Sequence, residues 1–488
     1  MGEHLTALDA TFLELEEADE SAHMHIGAIM VFDPRPDAGP PSVQELGKHL
    51  EARLGVLPRY VQRLSEPHTG GLSWPEWEDD PTFDIARHVS RAAIPAPGTD
   101  RELQAWASDF FSQRLDRHRP LWEMVIVEGL EDGRWALASK SHHCMVDGVS
   151  SVDVGRLLLD TTARPRRTRI SKGSPAGEPS GEDAGGSPGA LASLLHSWAD
   201  ALPVDTVREA SKYGAHAVAH PREALRGARS ALEVIVRDEL HGAPHTSLNE
   251  PIGTLRRFAV MRVELAALRE IKRRLGGTIN DVVLTIVGSG TRELLLSRGE
   301  NLPAEGLRVM VPVNVRAASE HLALGNRVSS LFVELPVAQP DLLSRYRETV
   351  EGSLALKAGG RQAAGTSAVI ELAGLAPPVI HATLAQSLYA TRLFNLTITN
   401  VPGPQQTLYA FGAPLREIHP LVPLAASHAL GVAVVSYDSS MFFGVVADRD
   451  SVEDLDVLLD AMAAASEELL DAARDGDRSR AAAAASAS

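Results

Sequence analysis

Between Ala163 and Gly189 the composition changes to one that does not support a packed core. The stretch is rich in proline, glycine, serine and charge. Such a segment buries too little apolar area to offset the entropy lost on ordering. It reads as a flexible linker, so any core has to be built from one block before it and another after it. A length of 488 residues agrees with that division, because chains of this size tend to form about two domains. The expected organisation is an N-terminal domain over 1–162 and a linker with a helical segment over 163–254. A C-terminal domain over 255–472 and a frayed alanine-rich tail over 473–488 follow.

Both blocks mix strand and helix patterns. Residues 23–33, 122–129 and 134–142 are apolar or alternating and predict strands, while 43–55 and 101–114 carry helical spacing. Residues 190–242 also look helical, with Leu191, Leu194, Leu195, Trp198 and Leu202 on one face. After the linker, strands are expected over 257–265, 307–315, 328–335, 396–401, 431–437 and 442–447. Leu265, Leu268, Ile271 and Leu275 define a helix stopped by Gly276 and Gly277. Thr278 then offers an N-cap, with Asp281 as its capping-box partner. Because the alternation is not strictly β-α-β, the fold class is mixed α/β, with α+β character, rather than a doubly wound sheet.

Composition excludes several functions. A net charge of −17 argues against general nucleic-acid binding. A single cysteine, Cys144, rules out an intramolecular disulfide and favours a reducing, cytoplasmic setting. No run approaches 18 consecutive apolar residues, so no membrane-spanning helix is expected. The acidic N-terminus lacks an apolar signal core. Met1–Thr6 formally fits a myristoylation pattern, which is too short to carry weight.

The segment with the most chemistry is His142–Gly148, which reads H-H-x-x-x-D-G at the end of the predicted strand 134–142. Adjacent histidines on a strand point to opposite faces, so one can meet a cleft while the other is held in the structure. Imidazole is suited to moving protons near neutral pH. Asp147 can orient the loop by binding a cation or can touch the imidazole directly. Gly148 permits a tight turn. Two other chemistries lack support. His142, His143 and Asp147 have no recognisable metal-ligand spacing to His23 and His25. No G-x-S-x-G nucleophile elbow occurs.

With its companions this motif resembles the bacterial wax ester synthase/diacylglycerol acyltransferase (WS/DGAT) family, within the CoA-dependent acyltransferase superfamily. The companions are Leu5–Leu13 (LTALDATFL), Arg119–Glu123 (RPLWE), Asn280–Leu284 (NDVVL), Pro312–Arg316 (PVNVR), Gly325-Asn326 and Asn400–Gly403 (NVPG). The likeness covers roughly residues 4–470 and is poor over the linker. It implies two chloramphenicol acetyltransferase-like domains with an active-site tunnel between them. It also implies transfer of a long-chain acyl group from acyl-CoA to diacylglycerol or a long-chain alcohol. Acyl-CoA is then a co-substrate, and no metal or other cofactor is expected.

By the same resemblance His143, the second histidine, is the general base and His142 is structural. Asp147 forms an ion pair with Arg316, or orients His143 as in a triad. Asn280 either supports the site, as an oxyanion donor, or is local structure, and the backbone N–H near Gly148 competes for the oxyanion. Asp281 is read chiefly as a helix cap, Trp122 as core or acyl-channel lining, and Cys144 as a small apolar filler. Docking on a membrane or lipid droplet is expected to be peripheral. Arg164, Arg166, Arg167, Arg169 and Lys172 offer one basic patch for it, and the face around Trp198 an apolar one. Two alternatives stay open: a condensation-type enzyme with a carrier-protein donor, and a non-catalytic paralogue that binds acyl-CoA or coats droplets.

Overall fold

Strands and helices alternate irregularly along the chain. The computed structural model describes residues 3–36, 38–55, 57–66, 74–146, 155, 158–164, 242–314, 328–359 and 393–486. The first half contains β1 (Glu3–His4), α1 (Ala7–Ala18), β2 (His25–Phe32), α2 (Val43–Leu54), β3 (Gln62–Leu64) and β4 (Glu76–Asp79). β5 (Val89–Ala93), α3 (Asp100–Ser112), β6 (Trp122–Glu128) and β7 (Trp135–His142) follow. The second half contains β8 (Arg256–Glu264), α4 (Leu265–Leu275), α5 (Ile279–Ser297), β9 (Leu307–Asn314), β10 (Val328–Leu335) and α6 (Leu342–Gly359). It closes with β11 (Leu396–Pro402), β12 (Tyr409–Ala410), β13 (Ala413–Leu421), β14 (Leu430–Tyr437), β15 (Ser440–Asp448) and α7 (Leu455–Ser486).

Two six-stranded sheets carry the fold, in the orders β12-β13-β2-β7-β6-β5 and β10-β9-β11-β14-β15-β8. Both are mixed. β5 pairs parallel to β6, and β11 pairs parallel to β9 and β14, while the other pairings are antiparallel. The first sheet is completed from the far end of the chain: β13 pairs with β2 from Leu415↔Phe32 to Leu421↔Gly27. The sheets touch where β13 crosses β15. A Cβ on Gly444 would come within 1.7 Å of the Pro420 carbonyl oxygen, so only glycine allows the approach.

A second junction satisfies an exposed sheet edge. β8 is the last strand of its sheet and would leave outward N–H groups unpaired. On α3, Ser108 and Ser112 accept from the backbone N–H groups of Phe258 and Arg256, at 2.8 and 2.7 Å. The match is geometric: four residues along a helix advance about 6 Å, close to the advance of two residues along a strand. Arg256 adds hydrogen bonds to the carbonyls of Ser21, Gly253 and Leu255.

Four of the helices start the same way. Thr6 with Asp9, Ser42 with Glu45, Thr99 with Glu102 and Thr278 with Asp281 each form a reciprocal capping box. The expected strands appear within two residues of their predicted ends. β1, β3, β4, β5, β12 and β13 were not among the expected strands; β13 contains Pro414 and Pro420, a residue type unfavourable inside a sheet.

Two boundaries differ from the composition-based reading. Part of 242–254, assigned to the linker, is packed: Leu248 is fully buried and its carbonyl accepts from Ala429 N–H at 2.9 Å. Asn249 donates to the Phe394 carbonyl and accepts from Asn395. A short polar segment is ordered here by long-range partners that local composition does not reveal. The alanine-rich end, read as frayed, continues α7 to Ser486, in keeping with alanine's helix propensity. The predicted helical face over 190–242 lies outside the described residues, except for residue 242.

Candidate active site

β7 delivers the histidine pair. His142, its last residue, pairs with His25 of β2 and is fully buried. Its Nε2 lies 2.6 Å from Glu16 Oε2 on α1, and its Nδ1 accepts the Cys144 backbone N–H at 3.1 Å. The second bond requires a lone pair on Nδ1. The ring proton therefore sits on Nε2 and is donated to Glu16.

His143 is the first residue past the strand. Its N–H donates to the Met24 carbonyl at 2.8 Å, and Met145 N–H closes a turn on the His142 carbonyl at 3.0 Å. The half-buried His143 ring stacks on Phe12 of α1, with centroids 4.0 Å apart and planes 16° apart. Strict alternation predicted opposite faces for the two histidines. Both rings instead contact α1, because His143 already belongs to the turn, where strand alternation no longer applies.

Glu16 is the hub behind the pair, with its side chain only 2 % exposed. Burial pushes its carboxyl up, but hydrogen bonds from His142 and His25 outweigh burial and hold it well below the ordinary carboxylate range. Arg114 Nε lies 3.1 Å from Oε1, and the same guanidinium donates to the Glu16 carbonyl. His25 Nε2 is 3.5 Å from Oε1. Burial lowers His25 to about 3 despite Glu16 opposing it, so His25 is neutral. His23 is lowered to about 4 by burial and by Arg256.

Cys144 is enclosed, and burial together with the Asp9 charge pushes its thiol well up. A thiol held protonated is no nucleophile. Asp147, Gly148 and Arg316 lie outside the described residues, as does Gly325-Asn326.

The second motif opens α5. Thr278 caps the helix, and Asp281 Oδ2 accepts from Thr278 N and Oγ1 at 2.7 and 2.8 Å. Asn280 Oδ1 accepts from Asn400 Nδ2 at 3.4 Å, which ties this motif to Asn400–Gly403 on and just after β11. Trp122 is core: its Nε1–H donates to the Tyr60 carbonyl at 2.8 Å, and its ring stacks on His88. Composition and motif reasoning missed Glu16 and Lys140. Glu16 sits in an acidic run that reads as a solvated face. Lys140 in β7 is fully buried, with Nζ donating to the Phe110 and Gln113 carbonyls and 2.6 Å from Glu123 Oε1. Phe12 was visible inside LTALDATFL, but without a partner.

Two mixed sheets, the first completed by a late strand, with a histidine pair leaving β7, define a condensation-domain and chloramphenicol acetyltransferase-like fold. The starter condensation domain of rhizomide synthetase RzmA shares this fold at a TM-score of 0.57 and 14% identity, over 97% of this chain and 95% of that one. The wax ester synthase/diacylglycerol acyltransferase from Marinobacter aquaeolei is more alike, with a TM-score of 0.67 at 26% identity over 96% and 99% of the two chains. The probable diacylglycerol O-acyltransferase tgs1 of Mycobacterium tuberculosis is 32% identical over 463 residues, 92% of each chain. The family model of the wax ester synthase/diacylglycerol acyltransferase catalytic domain matches residues 5–283, and that of the WS/DGAT C-terminal domain matches 324–470. The chain belongs to the WS/DGAT family of acyltransferases.

Proposed function

We propose that this enzyme moves a long-chain acyl group from acyl-CoA to the hydroxyl of a diacylglycerol or a long-chain alcohol, with His143 as general base. The contrast within the histidine pair carries this reading. His142 is enclosed and commits both ring nitrogens to Glu16 and Cys144. His143 is half-buried and held across its ring face by Phe12.

The neutral imidazole takes the acceptor's hydroxyl proton as the oxygen attacks the thioester carbonyl. The tetrahedral intermediate then collapses, the C–S bond breaks, and the leaving CoA thiolate receives the proton from the imidazolium. The step balances without a metal or redox group, because the thioester supplies the activated acyl carbon. Asn280, held by Asn400 at the start of α5, is our candidate for supporting the oxyanion.

The named diacylglycerol O-acyltransferases among the relatives favour diacylglycerol as acceptor. Among the described residues no helix is long and apolar enough to cross a membrane. The enzyme would then meet its lipid from the aqueous side, as a peripheral protein of a membrane or droplet. Incubation with palmitoyl-CoA and either dioleoylglycerol or hexadecanol, with the lipid product identified, tests the reading. Triacylglycerol or wax ester supports it, and free palmitate alone would overturn it.

A further inference from the structure

Phe12 and Glu16 are four residues apart on α1 and so share one helix face. That face meets both histidines: Phe12 covers the ring of His143, and Glu16 holds Nε2 of His142. We propose that α1 is a clamp that orients the catalytic base, with Phe12 and Glu16 as positioning residues. The proposal rests on the reading of His143 as that base.

The chain of contacts is short. The Glu16 carboxylate fixes the His142 proton on Nε2. The freed lone pair on Nδ1 then accepts Cys144 N–H, which sets the turn carrying His143. A doubly protonated His142 would turn an N–H toward the Cys144 N–H and open that turn. Arg114, from the segment after α3, pins Glu16 from the other side.

Phe12 acts on the ring itself. Stacked at 4.0 Å with planes nearly parallel, it restricts the plane of the imidazole. Its π-face also lies against the ring that becomes cationic as the hydroxyl proton arrives, and an aromatic face favours that cation. The clamp therefore favours the transition state more than the ground state, and the rate of turnover should report it. α1 is in turn fixed at its start by the Thr6–Asp9 capping box, and Glu14 accepts from Trp74 Nε1 at 3.2 Å.

The test is steady-state CoA release from palmitoyl-CoA with saturating dioleoylglycerol or hexadecanol, whichever is turned over, together with thermal melts. Phe12→Leu, Phe12→Tyr, Glu16→Gln, Glu16→Leu and His143→Ala are compared with wild type. Phe12→Leu should lower kcat about tenfold or more while KM for acyl-CoA stays within about twofold. Phe12→Tyr, which keeps the stacked ring, should restore most of the rate. Glu16→Gln keeps an acceptor for His142 and should lose less than Glu16→Leu. Should Glu16→Leu fail to fold, the Phe12 pair decides alone.

Folded Phe12→Leu with wild-type kcat overturns the clamp. So does a raised KM at constant kcat, which would make Phe12 a channel lining, or a Phe12→Tyr as slow as Phe12→Leu. Wild-type rates in His143→Ala would instead remove the base reading, whatever the α1 variants do.

Discussion

A buried charge has to be satisfied on every side, and Lys140 shows how this molecule does so. Its ammonium has three N–H groups, and they meet the Phe110 carbonyl, the Gln113 carbonyl and Glu123. Burial lowers its pKa, with Glu123 opposing. The cation lies at the C-terminal end of α3, where the helix dipole favours positive charge. It thereby fastens β7, the strand that ends in the histidine pair, to α3. Lys140→Met should destabilise the fold by about 1–3 kcal/mol, because it strands the Gln113 carbonyl. A urea unfolding curve with an unchanged midpoint would contradict that. At this scale the sequence made the histidines legible, because H-H-x-x-x-D-G is a compact pattern with known chemistry. Glu16 and Lys140 stayed hidden. A charged residue in a helix or an alternating strand reads as solvent-facing, and only tertiary partners tell otherwise.

Elements were more legible than their connections. Apolar periodicity located all six strands of the second sheet and β2, β6 and β7 of the first, and the Thr278–Asp281 capping box could be read directly. β13 could not, because its two prolines carry the opposite local signal and its partner β2 lies almost four hundred residues earlier. The junction of α3 with β8 was equally silent, since serines on a helix face have many ordinary explanations. Its energetics can be measured. Ser108→Ala combined with Ser112→Ala leaves two edge-strand N–H groups without their acceptors, at a cost of about 1–3 kcal/mol each where water cannot replace them. The double variant should melt several degrees below wild type. An unchanged Tm would mean that the edge is hydrated and the serines are incidental.

Across the whole molecule, buried imidazoles set a response to acid. Burial holds His23 and His428 at about 4 and His25 at about 3, against an ordinary value of 6.5. Between pH 6.5 and about 4 the unfolded chain therefore binds more protons than the native one, and stability falls as pH falls. Glu16, held low, acts in the same direction only below its ordinary value of 4.5. The Tm at pH 5.5 should lie below that at pH 7.5, with further loss toward pH 4.5. A flat or rising Tm would mean that these histidines are hydrated. Composition marked a break between two α/β blocks, whereas the pairing of β13 with β2 across that break left no local signal. Composition reports where a chain can pack, and topology depends on which distant strands meet.

The central claim is that His143 activates a lipid hydroxyl for attack on a thioester. Its most direct test is acceptor-dependent thiol release from palmitoyl-CoA by wild type and by His143→Ala, with both shown to be folded by circular dichroism. Wild type should release CoA only when dioleoylglycerol or hexadecanol is present, and the variant should be slower by roughly 10²–10⁴. Release without an acceptor, or a variant as fast as wild type, would contradict the account.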